Sequence, residues 1–244
     1  WFFDDAANLK ESFVVIKNVF VNFSIKPLFD GSVRAMMEFS SMDMLAIAVG
    51  IAALFIVGVI NEKGIDIRKI SDDMNPGSGN VIKYCGIPLG ILCIILDLFK
   101  AFIPVFISIN YFYTSNIAII FIAISPILGH AYSPFLKFQG GKAIASTFGS
   151  FLALYPISYV ALIFALILIF FKFILTIKPN SSVILVSILF LDILVFASNS
   201  SIYIKLIVFL SSIILGHKHR VNRNDGDITI SLFNKYCKKI LYHN

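Results

Sequence analysis

Gly140, Gly141 and Lys142 stand near the end of "GHAYSPFLKFQGGKAIAS", residues 129–146, just before an apolar stretch. Two residues without side chains let a ligand approach the backbone closely. A helix opening beside them presents N–H groups and the positive end of its dipole, and the lysine adds an ammonium, so the three together can hold an anion. The plainer alternative is a glycine turn whose lysine snorkels to a membrane boundary. The spacing is not that of the nucleotide P-loop, which needs G-x-x-x-x-G-K-[ST].

Other chemistry-bearing residues lie far away in sequence. In "DIRKISDDMNPGSGNVIKYCG", residues 66–86, Arg68, Lys69 and Lys83 flank a turn whose Asn75, Ser78 and Asn80 can donate hydrogen bonds to phosphate or hydroxyl oxygens. By itself that loop reads more readily as a solvated connection. Asp97 and Lys100, at i and i+3 inside an apolar run, can face one another. Either charge alone at mid-membrane costs about 2.5–3.5 kcal/mol on insertion scales. They are therefore a buried pair that orders the helices or the wall of a polar cavity. Asp192, within "LFLDILVF", reads as a neutral hydrogen-bonded acid, with a proton or ion path as the sharper alternative. His130 and the run "HKHRVN", with His217, His219, Arg220 and Asn222, supply candidate bases and hydrogen-bond groups.

The elements that must position these residues are membrane helices. Hydrophobic residues make up 58% of the 244, charged residues 14%, and mean hydropathy is +0.89. Apolar runs at about 42–60, 87–111, 116–129, 143–155, 157–175, 182–198 and 201–216 predict an all-α integral membrane protein of about seven helices. Runs three and four are short for a full crossing, which leaves counts of six or eight open. Walking odd and even from the loop at 61–86 puts 130–142, 172–181 and 217–244 on that same face. Fourteen lysines and arginines fall there, among them Arg68, Lys83, Lys142 and Lys218, and none in the short opposite turns. The positive-inside rule makes that face cytoplasmic, with the amino end outside and the carboxyl end inside.

Residues 1–41 carry Lys10, Lys17, Lys26 and Arg34 and no stretch apolar enough to span. They read as an amino-terminal extension of unassigned role ahead of one polytopic domain over 42–244. The net charge of +6 comes without a basic domain or aromatic-basic motif, so nucleic acid is not an expected partner. Anionic headgroups or phosphorylated substrates fit it better. Cys85, Cys93 and Cys237 have no paired or metal-ligand spacing.

Three basic segments on one face describe a pocket for an anionic substrate, and here the chain resembles the bacterial acyl-phosphate glycerol-3-phosphate acyltransferases (PlsY). The family's motifs read approximately D-I-R-K-x-G-S-G-N-P-G-A-T-N-x-x-R, G-H-x-x-P-x-F-L-K-F-x-G-G-K-G-x-A and H-R-x-N-I-x-R-L-x-x-G-x-E. "GHAYSPFLKFQGGKAIA" matches the second, with Ala143 in place of the last glycine. "GIPLGILCIILDLFKAFIPV" is similar to the family's G-x-x-x-D-x-x-K-G segment and keeps Asp97 and Lys100. In the first motif "SDDM" stands where G-S-G is expected, which makes Ser71 the nearest counterpart of the family's serine, and Lys83 takes the arginine position. Lysine keeps the charge but not the bidentate fork. In the third motif His219, Arg220 and Asn222 match H-R-x-N, the remainder is shortened to "RNDGD", and Asp227 stands for the glutamate.

The resemblance covers about residues 42–232. It implies transfer of a fatty acyl group from acyl phosphate to the 1-hydroxyl of glycerol 3-phosphate, giving lysophosphatidate and phosphate, with no metal or other cofactor. The membrane itself is the second partner, and the short apolar helices suit a groove for the acyl chain. The H-x-x-x-x-D motif of thioester-dependent acyltransferases is absent, because Asn222 and Asn224 stand five residues after His217 and His219. Carried over residue by residue, the catalytic set is Ser71, Lys100, His219 and Asn222. The phosphate-binding set is Arg68, Lys83, Gly140, Gly141 and Lys142, supported by Asn75, Asn80, Asp97 and His130. A weakly active or inactive relative that binds a phosphorylated ligand is the alternative the altered motifs allow. A small transporter is a further one, although no internal repeat accompanies it.

Overall fold

The computed structural model describes residues 67–71, 74–111, 116–133, 136–155, 157–221 and 229–232. The extension at 1–41, the first expected span at 42–60, Asn222 and Asp227 lie outside the described residues, as do the side chains of Arg68 and Arg220. The elements are α1 (Ile67–Ile70), α2 (Ser78–Cys85), α3 (Ile87–Tyr111), α4 (Asn116–Ala131), α5 (Ile144–Ala153), α6 (Val160–Ile169), which widens into a π-turn over Phe170–Ile174, β1 (Leu175–Lys178), α7 (Asn180–Ala197), α8 (Ile202–Val221) and β2 (Thr229–Leu232).

Length sorts the helices. At 1.5 Å per residue the 25 residues of α3 reach roughly 37 Å, more than the hydrocarbon thickness. Among the described helices, α3, α7 and α8 are long and apolar enough to cross a membrane. The ten residues of α5 reach only about 15 Å, half a crossing, so this helix lives by its packing on other helices. Gly149 makes that packing close: a Cβ there would lie 2.1 Å from the carbonyl oxygen of Leu98 on α3. Ser150 Oγ then donates 2.6 Å to the Ala123 carbonyl of α4, which ties three helices at one level.

In α4 the sequence repairs its own break. Pro126 has no N–H to offer the Ile122 carbonyl one turn back. Ser125 Oγ donates to that carbonyl at 3.0 Å instead. The interior is filled by Ile122, Ile127, Phe151, Phe164, Leu191, Ile204 and Leu215, all buried. Leu162, Leu166, Ile193 and Ile213 face outward on helices that are apolar all round, as lipid-facing residues do. This is an integral membrane protein built of helices.

Two features depart from the sequence-based expectation. Residues 78–85, read as part of a loop, form α2, so Asn80 and Lys83 ride on a helix. Gly, Asn and Ser are poor helix formers, but Asn75-Pro76-Gly77 provides the turn before it and α2 gains its stability by packing on α3. The second is a small antiparallel ribbon, with Leu175 opposite Leu232 and Lys178 opposite Thr229. Four-residue strands leave no periodic trace beside an apolar helix. The ribbon brings the connection after α6 and the segment beyond α8 to one end of the bundle.

Candidate functional site

The core of the site is a cross-helix knot. Lys100 Nζ on α3 donates to Asp97 Oδ1 at 2.5 Å and lies 2.8 Å from His130 Nδ1 at the end of α4. His130 Nδ1 is itself 3.4 Å from Asp97 Oδ1. An ammonium can only donate, so Nδ1 accepts and the imidazole proton sits on Nε2. All three are buried, Lys100 to 2% exposure. Of the two readings open for Asp97 and Lys100, this geometry is that of the ordering pair, extended by a histidine the sequence did not connect to it.

On this knot rests the glycine turn. Gly141 N donates 3.1 Å to the His130 carbonyl, and a Cβ on Gly141 would meet His130 Nε2 at 2.2 Å. A Cβ on Gly140 would come within 2.0 Å of the same carbonyl oxygen. Here glycine is demanded by close approach rather than by dihedral angles. The Gly141 N–H is thereby committed, which corrects the expectation that it points at an anion.

Donors for an anion lie slightly farther on. Helix α5 opens at Ile144 without a side-chain cap, so the N–H groups of Ile144, Ala145 and Ser146 have no carbonyl partner within the helix. Ser146 Oγ, fully buried in that first turn, has no hydrogen-bond partner among the described residues; Ser133 and Ser71 share this condition. Neither Ser133 nor Ser146 was singled out from sequence. The signal available for Ser146 was its place three residues after Ala143, inside the first turn of the opened helix.

The third segment arrives on α8. Lys218 Nζ donates to the Gly140 carbonyl at 2.8 Å, across 78 residues of chain. The same ammonium lies 5.5 Å from the centre of the Tyr132 ring, and the Tyr132 hydroxyl is 2.7 Å from His217 Nδ1. Burial raises the Tyr132 phenol above its ordinary value, which keeps it protonated. Lys142 is within electrostatic reach of Lys218, so two ammonium groups gather at the turn. His219, the next residue, is buried at 2% exposure.

The first motif forms its own cluster around α1 and α2. Ser71 and Asn75 are buried, and Asn80 Nδ2 donates 2.8 Å to the Asn75 carbonyl, closing the Asn-Pro-Gly turn. Lys83 is exposed and lies over the Tyr84 ring at 4.9 Å. The structure thus brings together Asp97, Lys100, His130, Gly140, Gly141 and Lys142 with α8, while Ser71, Asn75 and Asn80 are organised around their own turn.

A family model described as glycerol-3-phosphate acyltransferase matches residues 36–225. The chain belongs to the glycerol-3-phosphate acyltransferase family. Among its relatives, glycerol-3-phosphate acyltransferase 1 of Thermotoga maritima is 51% identical over 90 residues, 36% of this chain and 44% of that one. The Staphylococcus aureus glycerol-3-phosphate acyltransferase is 37% identical over 132 residues, 49% of this chain and 63% of its own. The aligned part thus spans less than half of the first and under two thirds of the second. A crystal structure of PlsY (YgiH), an integral membrane glycerol 3-phosphate acyltransferase in its glycerol 3-phosphate form, matches with a TM-score of 0.65 at 23% identity. That match covers 83% of this chain and 98% of the other, a likeness of fold.

Against the motif of this acyltransferase family, Ala143 now has a geometric meaning. Its φ is 59° and ψ 14°, the left-handed conformation that glycine adopts freely and alanine does not. The chain keeps the conformation without the residue that suits it best.

Proposed function

We propose that this protein transfers a fatty acyl group from acyl phosphate to the 1-hydroxyl of glycerol 3-phosphate at the cytoplasmic face of a bacterial inner membrane. Family membership supports the reaction class. The observation that carries the reading to this site is the Lys218–Gly140 hydrogen bond, which joins the helix of the third motif to the turn of the second. Solved relatives are described in glycerol 3-phosphate and lysophosphatidic acid forms, which agrees with a substrate and a product of this transfer.

An acyl phosphate is already an activated mixed anhydride. The protein's task is therefore to position two phosphorylated molecules and stabilise developing charge. In this reading the first-turn N–H groups of α5, the Ser146 hydroxyl and Lys142 hold the phosphate of glycerol 3-phosphate, with Arg68 and Lys83 as further cations. The 1-hydroxyl oxygen attacks the acyl carbon, and its proton passes to His219 or to the substrate's own phosphate. The new ester forms as the carbon–oxygen bond to phosphate breaks, and inorganic phosphate leaves. Ser71 and Asn222 orient the reacting groups. Asp97, Lys100 and His130 act from beneath, by holding the floor of the turn.

Purified protein in bicelles, given palmitoyl phosphate and glycerol 3-phosphate, tests this by phosphate release. Release that depends on glycerol 3-phosphate and falls on the order of a hundredfold in Lys142→Ala is expected. Binding of glycerol 3-phosphate without release would instead identify a relative that has kept the pocket and lost turnover.

A further inference from the structure

The peptide unit between Gly140 and Gly141 is held at both of its polar ends. Its N–H, on Gly141, donates to the His130 carbonyl, and its oxygen, on Gly140, accepts from Lys218. With both ends bonded the peptide plane cannot rotate, and two glycines would otherwise leave it nearly free to do so. We propose that Lys218 is a positioning residue, one that fixes the Gly140–Gly141 peptide so that the turn and the start of α5 are preset for the phosphate of the substrate.

Three observations make Lys218 suited to this and to little else. Its ammonium is buried, at 8% exposure for the residue, so it is not an ordinary boundary lysine reaching for solvent. The carboxylates among the described residues are Asp97 and Asp192, bonded to Lys100 and to Ser212, so the Gly140 carbonyl and the Tyr132 ring are what receive its charge. Its place is enforced from the other side, because Tyr132 follows α4 directly and is bridged to His217 on α8. A lysine that neutralises no acid among the described residues, and lies near Lys142, leaves excess positive potential at the turn. Such potential favours a dianion.

The inference rests on the acyltransferase reading for its ligand but not for its geometry, and the test separates the two. Hydrogen exchange of the full-length protein in nanodiscs, followed by mass spectrometry, reports the peptide spanning 139–143 with no substrate present. Lys218→Met keeps the stem over Tyr132 and removes the donor, while Lys218→Arg restores one. Expected are at least tenfold faster exchange at Gly141 in the methionine variant, substantial recovery in the arginine variant, and unchanged exchange in α3 and α7. In the phosphate-release assay, Lys218→Met should raise KM for glycerol 3-phosphate about tenfold with kcat within threefold of the parent. Unchanged exchange at Gly141 would overturn the proposal, as would faster exchange spread evenly through α4, α5 and α8. A parent protein without acyl transfer, yet with the exchange pattern intact, would overturn the substrate and leave the positioning role standing.

Discussion

Two acids lie within apolar helices among the described residues, Asp97 buried and Asp192 half-buried, and their surroundings differ. Asp97 on α3 sits in a three-residue knot with Lys100 and His130, and the glycine turn lies directly on the histidine. Asp192 on α7 meets one neutral hydroxyl, Ser212 Oγ on α8, at 3.0 Å. The first acid balances a buried charge; the second accepts a hydrogen bond from the Ser212 hydroxyl. Similar neighbouring sequence, "IILDLF" and "LFLDILV", therefore yields a charged floor for a site in one place and a helix-to-helix clasp in the other.

Replacing Asp97 by leucine is the harshest way to break that contrast. It strands the Lys100 ammonium in the interior, and a loss of about 3–5 kcal/mol is expected, read by thermal unfolding in detergent. The double variant Asp97→Leu/Lys100→Met removes both charges and should recover much of that loss while activity stays low, since His130 loses its anchor. Recovery of activity as well would show that the knot does not support the turn.

Ser146→Ala sharpens the same side of the comparison. A buried hydroxyl without a partner among the described residues adds no hydrogen bond to this part of the fold, so stability should hold or rise by about 1 kcal/mol. KM for glycerol 3-phosphate should meanwhile rise roughly tenfold, because the proposed function gives that hydroxyl to the substrate phosphate. A fall in stability with unaltered KM would make Ser146 a structural residue.

On the other side, Asp192→Asn preserves a group able to bond Ser212. Less than about 1 kcal/mol and less than a twofold change in acyl transfer are expected. Abolished turnover in this variant would move Asp192 from clasp to machinery. The smallest effect is foreseen for Ala143→Gly. Relief of the left-handed backbone opposes the loss of a buried methyl group, each about 1 kcal/mol, so the melting temperature should shift by only a few degrees, with activity preserved or improved.

Much of the helical plan was legible along the chain. The ends of α3, and those of α4 to within two residues, follow from where the apolar runs meet polar residues, since hydrocarbon admits few alternatives to a helix, whereas α8 runs five residues past its apolar stretch to Val221. The anion-holding role proposed for the Gly140-Gly141-Lys142 turn rests on the same kind of reading, two glycines and a lysine before an apolar segment. Helix α2 was hidden because its residues favour turns by themselves and become helical against α3. The ribbon was hidden because β1 needs a partner more than fifty residues later.

The sequence by itself determined the solvent of this protein, its helical class, the basic residues available to an anion and, through its motifs, its family. Those properties are local sums of hydropathy, spacing and residue type. Which cation meets which partner was decided by tertiary structure. Lys100 and Lys218 are both lysines within apolar helices, yet one is tied to a carboxylate and an imidazole beneath the turn and the other grips its backbone from above. Short-range polar contacts depend on distances of a few tenths of an ångström between helices far apart in the chain, and packing alone sets those distances.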